Sequence, residues 1–204
     1  MNPIEKPILF NTEMVRAISE DRKRTTRRVI KPQPRWITPD PKHRRPMAFW
    51  TGNEWVKPPY QPGDILYVRE TWCPYDADHI IDDVKYAYKA NATAESERIR
   101  KEFGYKWRPS IHMPKEAARI FLRVTDVRVE RLQDITCDGC ALEGVPLYSG
   151  PVSSRKYYYR YKFYEIWNST IKPVYLPYYG WAANPWVWVI EFERCEKLER
   201  GQSE

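Results

Sequence analysis

Lys23, Thr26 and Arg28 stand in the run EDRKRTTRR at residues 20–28. A threonine hydroxyl is a weak nucleophile at its free pKa and gains reactivity beside a base. A lysine serves as that base when burial or neighbouring cations lower its pKa. Arg22, Arg24, Arg27 and Arg28 supply such a cationic field. If the run leaves a helix and enters a strand, Lys23 lies near the first strand residues, and Thr26 and Arg28 share one strand face. The same residues allow two other readings. One is a solvated basic turn, because short Lys/Thr/Arg clusters are common. The other is a phosphate grip, since seven basic and two acidic residues fall from Arg16 to Lys31.

The composition suits an anionic partner without naming one. The net charge is +7, and the 9 Trp and 15 Tyr offer rings on which single-stranded bases stack. Tyr158-Tyr159-Arg160-Tyr161-Lys162 alternates rings and cations. That pattern fits a nucleic-acid surface and equally a packed helix with snorkelling cations.

Cys137-Asp138-Gly139-Cys140 has the spacing of half a thiolate knuckle, and Cys73 and Cys195 would be needed to complete four zinc ligands. Each of those stands alone in sequence, so plain thiols are the favoured reading. His43, His79 and His112 follow no ligand spacing. No cofactor is expected. No stretch is apolar enough to span a membrane, and the N-terminus lacks a secretory pattern. The cytoplasm is the expected compartment.

Periodicity predicts the elements that position these residues. PILF at 7–10 reads as a strand. A helix from 12 to 20, capped by Asn11 or Thr12, presents Met14, Val15 and Ile18 on one apolar face. Residues 27–30 return as a strand. The proline-rich segment 32–62 reads as a long ordered loop pinned by Trp36, Phe49, Trp50 and Trp55. Strands follow near 65–70, 84–90, 119–130 and 186–193, with a parity slip at Thr125-Asp126 that suggests a bulge or turn. Helices are expected over 93–103, from Thr136 to Leu142, and over 153–168. With no regular βαβ repeat, a small mixed or antiparallel β-barrel with flanking helices is expected, an α+β fold.

The stretches KPILFNTEMVRAI, DRKRTTRRVIKPQP, PGDILYVRETW, ARIFLRVTDVRVERLQDIT with ALEGV, and NPWVWVIEFE resemble the ASCH-domain family. That family is related to the PUA fold, and the likeness is to its long phage and prophage-borne members. The resemblance implies one PUA-like domain over 1–204, with insertions near 32–62, 73–83, 91–116 and 146–185. It implies a cleft for single-stranded RNA or a modified nucleoside, and a bacterial host cytoplasm if the chain is phage-encoded. Some small members are amidohydrolases that deacetylate acetylcytidine with a lysine, a threonine and a glutamate. By motif match these fall on Lys23, Thr26 and Glu143, with Arg28 closing the motif. Thr26 would attack the amide, Lys23 would take its proton, and Glu143 would hold Lys23 or protonate the leaving amine. The family's usual glycine two places before the lysine is Asp21 here, placed to pair with Lys23 and raise its pKa. Three functions follow. The first is an RNA- or nucleotide-binding protein using Arg22, Arg24, Arg27 and Arg28. The second is an amidohydrolase acting on an N-acylated cytidine-type base. The third is a phage structural or interaction protein, for which no coiled coil or repeat speaks.

Overall fold

The computed structural model describes residues 5–39, 46–49, 55–74 and 85–197. Along the chain the elements are β1 (Glu5–Leu9), α1 (Thr12–Ser19), β2 (Thr25–Val29), β3 (Trp36–Pro39), β4 (Pro46–Phe49), β5 (Trp55–Val56), β6 (Ile65–Arg69), β7 (Trp72–Pro74), β8 (Tyr86–Tyr88), α2 (Ala94–Glu102), β9 (Phe121–Arg131), α3 (Cys137–Leu142), α4 (Val152–Thr170), α5 (Leu176–Tyr179) and β10 (Trp186–Cys195). They fall into two compact units. The first comprises Met1–Glu20, Asp64–Arg123 and Arg194–Glu204; the second comprises Asp21–Gly63 and Val124–Glu193.

In the first unit β6 pairs in parallel with β1 and antiparallel with β9. Asn11 caps α1 by accepting from the Met14 amide at 2.9 Å, and the buried stripe is Val15, Ala17 and Ile18. Val15 and Ile18 of the expected apolar face are thus buried, and Met14 is half-buried. Ile65, Trp72, Met113 and Phe121 form a compact apolar cluster. Residues Tyr86–Tyr88 do form a strand, but β8 pairs with β7 in its own two-stranded ladder. Three residues suffice for that ladder, and alternation alone does not say which neighbour a short strand chooses.

The second unit carries the residues of chemical interest. β2 runs antiparallel to β10, pairing Thr25 with Glu191, Thr26 with Ile190, Arg27 with Val189, Arg28 with Trp188 and Val29 with Val187. Val187 and Val189 are buried with Leu132, Ile135, Cys140, Tyr159, Phe163 and Trp167. The proline-rich segment is not wholly loop, because β3, β4 and β5 build a three-stranded antiparallel meander. Pro39 and Pro46 sit at the strand ends, where the missing donor costs least. The ring anchors assigned to Trp36, Phe49, Trp50 and Trp55 lie outside the described side chains, as do His43 and His79.

The barrel expectation is overturned. The largest sheet has the order β1-β6-β9-β10-β2, so β1 and β2 are its two edges and no ladder joins them. The sheet is mixed and open, and the fold is α+β without a PUA-like closed barrel. Alternating burial reports which face of a strand is covered. It carries no information on the tilt and stagger that bring a last strand back to the first. No turn interrupts β9, which runs unbroken through Thr125 and Asp126. Its change of parity falls beside the boundary between the two units at Arg123 and Val124. No helix among the described residues is long and apolar enough to cross a membrane.

Candidate functional site

Two local structures bring the ends of the site together. Thr136 caps α3 by accepting from the Gly139 amide at 2.9 Å, and α3 ends at Glu143, followed by Gly144 at φ +96°. That left-handed glycine turns the chain and leaves Glu143 beside residue 23. Lys23 and Glu143 form an isolated antiparallel bridge, and the Arg24 amide donates to the Leu142 carbonyl at 2.8 Å. Asp21 enters this segment at φ +57°, a conformation that glycine takes without strain and aspartate tolerates.

Lys23 is completely buried. Its Nζ donates to Glu143 Oε2 at 2.7 Å, to the Thr25 carbonyl at 2.8 Å and to the Glu143 carbonyl at 3.0 Å. Three acceptors match the three protons of an ammonium. Burial lowers the Lys23 pKa from that of an ordinary lysine. Glu143 opposes the shift, and Arg28 and Arg27 add to it. Asp21 is not its counter-ion, because Asp21 pairs with exposed Arg24 instead. The carboxylate that neutralises Lys23 comes from α3.

Arg27 occupies the other oxygen of the same carboxylate. Its Nη1 donates to Glu143 Oε1 and its Nη2 to Glu130 Oε2, both at 3.0 Å. Only 3% of its side chain is exposed. Its guanidinium carbon lies 5.9 Å from the centre of the Phe163 ring. Thr25 and Arg27 share one face of β2, and Thr26 and Arg28 the other. The hydroxyl on the Arg27 face is thus Thr25, whose Oγ1 is buried with no hydrogen-bond partner; Arg27 Nε is likewise without one. Thr26 is 2% exposed and sits opposite Ile190. Arg28 is half-buried, and burial lowers its pKa while the charges of Tyr60 and Glu143 oppose the shift.

The basic run is therefore not one cationic surface. Arg22 donates to the Gly144 carbonyl at 2.8 Å, Arg24 pairs with Asp21, and Arg27 is buried among carboxylates. Arg22, Arg24 and Arg27, expected together on a phosphate-binding face, thus each meet a different partner. Two participants escaped the sequence, Thr25 and Glu130. Thr25 shares the parity of Lys23 and Arg27, which was the available signal. Glu130 lies on β9, two strands from Arg27 across β10, and nothing local marks it.

Glu130 also predicts an acid-sensitive step. Burial pushes its carboxyl up, but hydrogen bonds from Arg128 and Arg27 and the charges of both outweigh this, so its pKa is below 4.5. A carboxylate depressed on folding stabilises above its unfolded pKa, and that contribution is lost as pH falls through the folded value. Urea midpoints should fall as pH drops below about 4.5, and Glu130→Gln should flatten the slope. An unchanged slope in that variant would assign the acid sensitivity to other groups.

The cysteines do not assemble. All four are free thiols, and among the described residues no group of three or more His, Cys, Asp or Glu is placed to hold a metal. Cys140 is buried in the apolar core, and its thiol is pushed up to about 12, chiefly by burial. Such a thiol is inert as a ligand or nucleophile at neutral pH. The zinc reading of Cys137, Cys140, Cys73 and Cys195 has no ligand set behind it. No protein-family model, no curated protein and no solved structure matches this chain.

Proposed function

We propose that the protein binds a base or modified nucleoside, free or within RNA, beside the Lys23–Glu143 pair. One observation carries the reading: Thr25 Oγ1 and Arg27 Nε are buried polar atoms without partners, on one face of one strand. Leaving such atoms unpaired costs about 1–3 kcal/mol each. A hydroxyl both donates and accepts, and a guanidinium N–H donates, so together they suit the carbonyl and nitrogen edge of a base. The net charge of +7 favours a ligand that carries phosphate.

Calorimetric titration with free cytidine and acetylcytidine tests this. Thr25→Val keeps the shape and removes an unpaired hydroxyl, so its melting temperature should hold or rise. Affinity should nevertheless fall by about 5- to 30-fold. Thr26→Val should leave affinity in place. No binding by the wild type, or a loss at Thr26 with none at Thr25, would sink the proposal.

The 2.7 Å contact between Lys23 and Glu143, with the lysine pKa lowered by burial, favours a second reading, amide hydrolysis of an N-acylated cytidine-type base. A threonine Oγ would bond to the amide carbonyl carbon as its proton passes to neutral Lys23 Nζ. The C–N bond would then break as that proton moves to the leaving nitrogen, and water would hydrolyse the resulting ester. The motif match supplies Thr26 as the nucleophile, whereas strand alternation places Thr25 on the Arg27 face. The same two valine variants, assayed for acid release from acylated cytidines, separate the candidates. Activity should rise with pH, because only the neutral amine of Lys23 can accept the proton.

A further inference from the structure

We infer that the outer face of α4 is a separate site that takes a short run of single-stranded nucleic acid by stacking its bases. α4 has two opposed aromatic stripes. Tyr159, Phe163 and Trp167 point into the core, while Tyr157, Tyr161 and Tyr164 are 73%, 44% and 40% exposed. The i, i+4, i+7 spacing sets the three outer rings along one line of the helix. The Tyr157 and Tyr161 rings are 6.0 Å apart and within 12° of parallel, and Tyr161 and Tyr164 are 6.1 Å apart. The alternation of rings and cations in this segment is thus divided by the helix: Tyr159 is buried, Tyr158 packs half-buried against the same core, and Tyr161 faces out.

The outer rings border a groove of about 540 Å³ completed by Lys156, Arg160 and Trp181. That volume lies within the roughly 300–1,000 Å³ of small-ligand sites, so the contact spans a few nucleotides. Arg160 is held in place, with Nη1 on the Gln133 carbonyl at 2.9 Å and its guanidinium 5.1 Å from the Trp181 ring centre. Lys156 is exposed, and no carboxylate among the described residues pairs with it. Of the four cations on α4, Arg155 pairs with Asp138 and Lys162 with Glu165, which leaves Lys156 and Arg160 at the groove with no carboxylate partner among the described residues.

The lining chooses the occupant. A groove that seats an amphipathic helix is apolar, and an aromatic groove that seats a proline-rich segment needs no cations. This one is walled by tyrosine, tryptophan, lysine, arginine and one serine, with no aliphatic residue. Flat rings beside unneutralised cations match bases joined by phosphates, and stacking on rings needs bases freed from a duplex. RNA and DNA single strands share this chemistry. The inference uses none of the residues of the β2 site, so either proposal can fail without the other.

Fluorescence anisotropy of the full chain with a labelled oligouridylate, the matching oligothymidylate and a duplex of equal length tests it, with polyglutamate as competitor. Single strands should bind at least about tenfold tighter than the duplex. A preference between the two single strands would assign the sugar. Tyr157→Ala and Tyr161→Ala should each weaken binding by about 5- to 100-fold, while Tyr157→Phe retains it. Lys156→Ala should reduce the slope of log affinity against log salt by about one. These side chains are exposed, so melting temperatures should not move. The Thr25→Val change should leave oligonucleotide affinity intact, and the α4 changes should leave nucleoside affinity intact. Equal affinity for duplex, competition by polyglutamate as strong as by unlabelled strand, or tyrosine variants that bind normally would each overturn the assignment.

Discussion

Glu143→Ala should destabilise the protein by about 3–5 kcal/mol, the usual cost of removing one partner from a buried charge pair. Glu143 Oε2 holds Lys23 and Oε1 holds Arg27, and neither cation reaches bulk water. Without the carboxylate, two buried cations face each other, and Glu130 compensates only the guanidinium. Lys23→Met should cost less, because Arg27 still neutralises Glu143 and the methionine refills the lysine stem. The double variant Lys23→Met with Glu143→Leu should recover much of the loss, since apolar residues of similar volume often replace a buried pair without penalty. Urea denaturation of the two single variants and the double variant closes the cycle. A Glu143→Ala protein within about 1 kcal/mol of wild type would mean that water reaches the pair, contrary to its burial. The double variant is also the sharpest functional control, because it keeps the fold while removing every charge of the proposed catalytic pair.

Phe163→Ala should cost a similar amount, about 3–5 kcal/mol. The ring is buried against Trp167 and meets Trp181 edge-on at 6.0 Å and 74°. It also lies under the Arg27 guanidinium. One side chain thus connects the core of the second unit, the inner stripe of α4 and the ion cluster at β2. Its truncation should lower the melting temperature and loosen α4, weakening oligonucleotide binding through the scaffold. Tyr157→Ala should show the reverse signature, lost binding at an unchanged melting temperature. If Phe163→Ala melts with wild type, the stripe is not the anchor of α4.

Much of this protein was determined by local sequence. In a helix over 153–168 the 3.6-residue period by itself sets Phe163 and Trp167 on a different stripe from Tyr157, Tyr161 and Tyr164. Asn11 and Thr136 marked the starts of α1 and α3 because their side chains satisfy amides that a new helix leaves unpaired. The β10 segment announced itself by alternation, and the motif match singled out Lys23 and Glu143, 120 positions apart. Other features belonged to tertiary structure alone. Whether β1 meets β2 is a matter of sheet stagger, and no side-chain pattern encodes it. Whether Thr25 or Thr26 faces the ion cluster depends on which face of β2 receives the end of α3. Alternation fixes relative orientation along a strand and leaves its phase against a distant element open. Charge balance is equally non-local. In sequence the nearest acid to Lys23 is Asp21, yet a left-handed turn gives Asp21 to Arg24, and the buried lysine takes its carboxylate from α3.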